Sequence, residues 1–428
     1  MAKSRIDLPA LEGGPSSRFL VFGSPFIGQE EIDEVVDSLR SGWLGTGPKV
    51  AKFEGLVRDY TGAGFALALN SCTAGLHLSL LACGIGRGDE VITTPMTFAS
   101  TVNVIEHVGA KPVFADIELP SMNIDPKEIE KKISKRTKAI IPVHLAGRPC
   151  RMDEIISLAR KHKLKVIEDA AHAFGAEYKG KKIGTIGDLT AFSFYVTKNL
   201  VTGEGGMVTT NNKKYADFIQ LYALHGMSSG AWKRYSDEGF RHYLVQAPGY
   251  KYNMMDLQAA IGIHQFYRFE EGQRRRKEIW RQYNEAFIDL PLSLPADPEV
   301  GTVHALHLYT ILIDLDKLKV EREVIQQALH AEGIGIGIHF IAVHLHPFYK
   351  NKYGFKRGDF PNAEYISDRT ISLPFSAKLM DTDVKDVIRA VKKVLTYYTE
   401  NEPKHLRIHL PKAIGDENTK GKIKTSNR

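Results

Sequence analysis

KAIIPVHLAGRPCRMDEIISLARKHKLKVIED, residues 138–169, decides the fold. KAIIPV (138–143) reads as a strand, MDEIISLARKH (152–162) as a helix, and LKVIED (164–169) as a second strand. Parallel strands need such a crossover, so a strand–helix–strand unit points to a parallel sheet. The rhythm continues outward. FALALN (65–70) is a strand running into the buried helix TAGLHLSLLACG, DEVITT (89–94) precedes the helix STVNVIEHVG, and KPVFADI (111–117) precedes PKEIEKKIS, a helix that opens on proline. QEEIDEVVDSLRS (29–41) has apolar residues at helical spacing. The pattern predicts an α/β domain with a mostly parallel sheet covered on both faces, whose ligands bind at the carboxyl ends of the strands.

Beyond Gly206 the rhythm changes. Residues 213–225 look helical, and a long charged helical stretch from Met255 to about Glu285 links two domains. A strand, HLYTILIDL (307–315), a helix (322–332), an apolar Gly-Ile run and a terminal helix (381–399) make a smaller α+β layer. The expected division is an N-terminal arm (1–21), a large domain (22–265), a small domain (266–402) and a basic tail (403–428). The tail, rich in lysine and poor in apolar residues, reads as disordered and solvated.

A chain of 428 residues suits one large and one small domain, and 43% hydrophobic with 25% charged residues is ordinary for a soluble protein. Such a chain builds its core without disulfides or metal. Cys72, Cys83 and Cys150 form no CxxC pair, which suits a reducing, cytoplasmic setting. MAKSRIDLPALEGGPSS lacks the apolar centre of a secretory signal, and the most apolar run, 65–86, is interrupted by Asn70, Ser71, Thr73 and His77. A net charge of +7 suits an enzyme that receives phosphorylated ligands.

Four strand ends carry unusual residues. In AFSFYVTKNLVTGEGGMVTT (191–210) an apolar run ends at Thr197-Lys198-Asn199, followed by Gly203, Gly205 and Gly206. Lysine forms Schiff bases with carbonyls when burial lowers its proton affinity, and the glycines suggest close backbone approach to a ligand. A snorkelling surface lysine has the same local sequence. Asp169 ends a buried strand and needs a partner: a protonated pyridine ring, or the amides of a helix start. In LNSCTAGLHLSLL, Ser71, Thr73 and the first-turn amides either bind an anion or cap the helix. Phe98 follows a turn proline and is either a stacking platform or core.

Together these residues resemble the DegT/DnrJ/StrS family of sugar aminotransferases, which have the aspartate-aminotransferase fold (fold type I) with a seven-stranded sheet. The matching stretches are SGWLGTGPKVAKFE (41–54), TPMTFAST (94–101), PVHLAGRPCRMDEI (142–155), VIEDAAHAFGA (166–176), FSFYVTKNLVTGEGGMV (192–208), GYKYNMMDLQAAIG (249–262) and DFPNAEYISDRTISLP (359–374). The resemblance implies pyridoxal phosphate (PLP) as cofactor. Lys198 forms the Schiff base and shuttles the proton, Asp169 pairs with the ring nitrogen, His172 lies near the ring hydroxyl, and Phe98 stacks. Thr73, Ala74 and Ser193 bind the phosphate, and Asn253 reaches it from a neighbouring subunit, so the unit is a homodimer. Trp43 and Thr46 help to form the substrate pocket, and His339 and His344 contact the sugar. The implied reaction passes an amino group from glutamate, released as 2-oxoglutarate, to a nucleotide-linked keto sugar for amino-sugar biosynthesis. The resemblance is greatest to the branch acting at the 4-keto position of UDP sugars, including the 4-amino-4-deoxy-arabinose enzymes. Related dehydratases have histidine where this chain has Lys198, which favours amino transfer. Cys72 stands where many relatives have Gly or Ala. Two competing readings are a fold-type-I enzyme acting on amino acids alone, such as a desulfurase, and a ligand-binding regulator.

Overall fold

The computed structural model describes residues 8–227 and 244–403. Apart from Pro403, the expected basic tail lies outside the described residues.

Seven strands form the large sheet: β1 (Phe65–Leu69), β2 (Glu90–Thr93), β3 (Lys111–Phe114), β4 (Thr137–Ile141), β5 (Lys165–Asp169), β6 (Leu189–Ser193) and β7 (Gly206–Thr210). Their spatial order is β1-β7-β6-β5-β4-β2-β3. Only β7 runs against its neighbours, pairing antiparallel with both β1 and β6. The expected mostly parallel sheet is therefore present. Its strands read as unbroken apolar runs because both faces are covered. Successive residues enter opposite cores: Ile140, Val166 and Met207 pack with Phe53, Val57 and Phe192, while Ile141, Ile167 and Val208 pack with Leu76, Leu78 and Ile219.

The helices flanking this sheet are α1 (Gln29–Ser41), α2 (Pro48–Thr61), α3 (Cys72–Ala82), α4 (Ala99–His107), α5 (Pro126–Lys132), α6 (Met152–His162) and α7 (Lys213–Tyr222). The strand–helix rhythm does not reveal α2. Its first amides are capped by a distant side chain: Asp256 accepts from Gly47 N (2.8 Å), Lys49 N (3.1 Å) and Val50 N (3.0 Å).

The long helical stretch is two helices, α8 (Asp256–Tyr267) and α9 (Phe269–Phe287), separated at Arg268. The Arg268 guanidinium is held at this corner by Glu30 and Glu31. Phe269 belongs to the core of the large sheet, whereas Ile279, Tyr283 and Phe287 belong to a second core. That core lies around β8 (Leu292–Ser293), β9 (Tyr309–Ile313) and β10 (Thr370–Leu373), with α10 (Arg322–Ala331) and α13 (Asp381–Glu400), while α11 (Pro347–Tyr353) and α12 (Pro361–Arg369) lie between them in sequence. The described N-terminal residues are docked on this second core: Leu8, Leu11 and Leu20 pack against it, and Leu20 exchanges backbone hydrogen bonds with Gly333 and Gly335.

Candidate active site

The carboxyl ends of β1, β2, β5 and β6 converge on a cleft of about 530 Å³ lined by Thr73, Phe98, Asp169, His172, Ser193, Lys198 and His339. Seven of the residues singled out from sequence thus share one cavity.

Lys198 is not at the strand tip. β6 stops at Ser193, and the chain folds into a turn closed by Lys198 N donating to Tyr195 O (2.9 Å). The next residue anchors it: Asn199 Nδ2 donates to Ala305 O (2.6 Å), and its Oδ1 lies 3.1 Å from His307 Nδ1. Burial pushes the Lys198 ammonium down to about 8, partly offset by the Asp169 carboxylate. Lys198 and His307 also border a smaller cavity of about 300 Å³ beside residues 22–26, but Asp169 lines only the larger one.

Asp169 is buried at the end of β5. Its Oδ1 accepts from Ala171 N (3.1 Å) and its Oδ2 from Thr101 Oγ1 (2.7 Å). Burial raises its carboxyl above the ordinary value, and these two donors and Lys198 act against that rise. The residues after Asp169 form turns and no helix, so the carboxylate is not a helix cap.

His172 accepts at Nδ1 from Ala146 N (3.2 Å), which leaves the ring proton on Nε2. Burial, with Lys198 nearby, pushes its basicity well down, so the ring is neutral. Phe98 is 63% exposed and caps the start of α4. Its ring lies 6.1 Å from that of Phe340, and the rest of its face is open to the cleft.

At the start of α3, Ser71 Oγ accepts from Ala74 N (3.1 Å). The Ala74 amide is thereby used, and Ala74 is buried off the cleft lining. This corrects its expected role as a phosphate ligand. The amides of Cys72 and Thr73, at the first helical positions, have no helical carbonyl to bond. Gly206 serves a different purpose from the one expected. A Cβ there would lie 2.3 Å from Ser71 C and 2.4 Å from Cys72 N, so it admits the α3 backbone and not a ligand.

Four expected residues lie elsewhere. His344 is fully buried with Nε2 bonded to Glu364 Oε1 (3.0 Å), because Glu364 also gathers the amides of Gly358 and Phe360 into one loop core. It does not line the cleft, and its expected sugar contact is corrected accordingly. Trp43, Thr46 and Asn253 form their own group: Trp43 Nε1 donates to Thr46 O (3.4 Å) and Asn253 Nδ2 to Thr46 Oγ1 (2.7 Å). None of the three lines this chain's cleft.

The sequence reading missed Thr97, Thr101, His307 and Phe340. Thr97 and Thr101 lie four positions apart on either side of Phe98, a spacing that could have drawn attention to them. Cys72 lines the cleft, but burial pushes its thiol well up, so it is protonated and unlike a desulfurase nucleophile. Among the described residues no helix is long and apolar enough to cross a membrane.

Comparison with known proteins bears on this geometry. The chain is 51% identical over 381 residues to the spore coat polysaccharide biosynthesis protein SpsC of Bacillus subtilis, covering 89% of this chain and 98% of that protein. Spr1654 of Streptococcus pneumoniae, named as a sugar aminotransferase and solved in PLP, PMP and apo forms, superposes with a TM-score of 0.83 for the PMP form at 34% identity, over 88% of this chain and 99% of that one. DesI, solved in the presence of its TDP-sugar product, gives a TM-score of 0.81 at 31% identity, over 93% of this chain and 98% of that one. Residues 25–392 match the family model, and the chain belongs to the DegT/DnrJ/EryC1/StrS aminotransferase family, a PLP-dependent sugar aminotransferase of fold type I.

Proposed function

We propose that this aminotransferase moves the amino group of glutamate to the 4-keto carbon of a nucleotide-linked sugar, releasing 2-oxoglutarate, for the synthesis of surface polysaccharide or a related amino sugar. The observation that carries the reading is one cleft holding a half-buried lysine of lowered proton affinity and a buried, hydrogen-bonded carboxylate.

The residues fit pyridoxal phosphate. The exposed ring of Phe98 offers it a face, the start of α3 with Thr73 and Ser193 offers donors to its phosphate, and Asp169 and His172 offer an acceptor and a donor to its ring. When bound, the cofactor supplies an aldehyde that condenses with amines and a ring that withdraws electrons. Asp169 holds a proton on the ring nitrogen. His172, with its proton on Nε2, would offer a donor to the ring hydroxyl oxygen. Lys198 Nζ, neutral in part near pH 8, takes the α-proton of the donor and returns it. His339, whose Nδ1 lies 2.9 Å from Ser372 Oγ, faces the cleft as a sugar contact.

Trp43, Thr46 and Asn253 are assigned to the cleft of a second subunit. The exposed apolar residues Leu44 and Met255 flank them, and the buried Asn253 Oδ1 has no partner among the described residues. The nucleotide part rests on kinship with DesI, and a role in polysaccharide synthesis on kinship with SpsC.

The test is the visible spectrum of purified protein. A yellow band should bleach with glutamate and return with a UDP- or TDP-4-keto sugar. Lys198→Ala should lose both responses. A band that glutamate leaves unchanged would remove the donor, and turnover by Lys198→Ala would remove the lysine.

A further inference from the structure

Two threonines that no part of the reaction above uses lie directly behind Asp169. Thr101 is fully buried, and its Oγ1 is 2.7 Å from Asp169 Oδ2. Thr97 Oγ1 is 2.7 Å from Thr101 Oγ1. An ionised carboxylate only accepts, so the single Thr101 proton points to Asp169, and the proton in the Thr97–Thr101 contact belongs to Thr97. The hydrogen bonds then run one way, Thr97 to Thr101 to Asp169. The titratable groups facing Asp169 are Lys198 after β6, Cys72 on α3, and His144 and Cys150 after β4.

We propose that Thr101, oriented by Thr97, is a positioning residue that keeps Asp169 ionised and its free lone pairs aimed at the ring nitrogen. The inference rests on the assignment of Asp169 to that nitrogen. Burial alone favours a protonated carboxyl, which would hold back the proton that the ring needs. A donated hydroxyl stabilises only the ionised form. Thr97 lies just before the α4 N-cap Phe98 and Thr101 in the helix's first turn, so the start of α4 would support the cofactor's face and its nitrogen partner together.

The experiment compares Thr101→Val, which keeps shape and removes the hydroxyl, with Thr101→Ser and Thr97→Val. Each is reconstituted with PLP and with an analogue bearing carbon in place of the ring nitrogen. The readout is the pH midpoint of the visible band. A positive ring disfavours a proton on the neighbouring Lys198 nitrogen, so loss of ring charge raises the midpoint. Thr101→Val should raise it by about one unit with PLP and lower kcat about tenfold, with little change in KM. Thr101→Ser should restore the wild-type midpoint, and Thr97→Val should give a smaller shift of the same sign. With the analogue all midpoints should coincide. An unchanged midpoint in Thr101→Val, or an equal shift with the analogue, overturns the inference. If Thr101→Val does not fold, the absence of a shift in Thr97→Val overturns it. Wild-type protein without a visible band would instead defeat the reading of the cleft itself.

Discussion

Gly206→Ala should damage both stability and cofactor affinity, by amounts the geometry sets. The added methyl would lie 2.3 Å from Ser71 C, 2.4 Å from Cys72 N and 2.6 Å from Ser71 O. Favourable carbon contacts begin near ~3.5 Å, so β7 and the start of α3 must separate by about 1 Å. All three clashing atoms are backbone, and Gly206 is itself held in register with Leu69 and Ser193, so no rotamer change relieves them. Overpacking of this kind costs about 1–3 kcal/mol. The same movement displaces the Cys72 and Thr73 amides, and a shift of about 1 Å in a positioned group is worth up to ~100-fold in rate. The assay is urea unfolding of the apo protein followed by circular dichroism, together with absorbance titration of PLP into the apo protein. Gly55→Ala is the control. Gly55 lies inside α2, where an added Cβ would meet nothing within 4 Å, and the change should stabilise by about 0.5–1 kcal/mol without altering PLP affinity. A Gly206→Ala protein with wild-type unfolding midpoint and wild-type PLP affinity would refute the reasoning.

Lys198 of the apo protein should become reactive toward a small aldehyde with a midpoint near pH 8, well below the ordinary lysine value of 10.5. Its proton affinity is lower folded than unfolded, so the unfolded chain binds more protons between these values and apo stability should rise by about 3 kcal/mol as pH climbs from 8 to 10.5, a slope that Lys198→Met removes. A midpoint near 10.5 for that labelling would show that the lysine is not desolvated. Phe98→Ala should leave apo stability within about 0.5 kcal/mol, because the ring is largely exposed, and weaken PLP by about threefold to tenfold in the same titration. Glu168→Ala should destabilise strongly. It orphans His144 Nε2 (2.9 Å), Gly187 N (2.7 Å) and Thr190 Oγ1 (2.8 Å), at about 1–3 kcal/mol for each buried group, and an unchanged urea midpoint would contradict that.

What the sequence could reveal depended on how local its signal was. The β4–α6–β5 unit was legible because burial on both faces writes an apolar run into each strand and helical spacing into the crossover. α2 was not, because the side chain that caps it, Asp256, lies 206 positions after Val50. Asp169 stood out as a carboxylate at a buried strand end, and Lys198 as a lysine set between an apolar strand and a glycine-rich loop. Thr101 did not, because a threonine inside a helix looks ordinary until its acceptor is known. The histidine-rich run 339–346 showed residue type without direction: His339 faces the cleft, whereas five residues later the chain has turned and His344 bonds Glu364. Gly206 was correctly read as a site of close approach, but the approaching group is the chain's own backbone.

The course of α9 governs how the parts built around these two cores can be exchanged. Phe269 fills space against Gly175, where even a methyl would come within 2.5 Å of the ring, and about three to four turns later Ile279 and Tyr283 are embedded in the other core. A chimaera spliced at residue 265 would give a foreign small domain this rod without its native seat, and a splice after Phe287 would give the large domain a rod studded for the wrong lobe. Shuffling lobes between homologues therefore needs compensating changes at both ends of one helix, and the pair should be inherited as a unit.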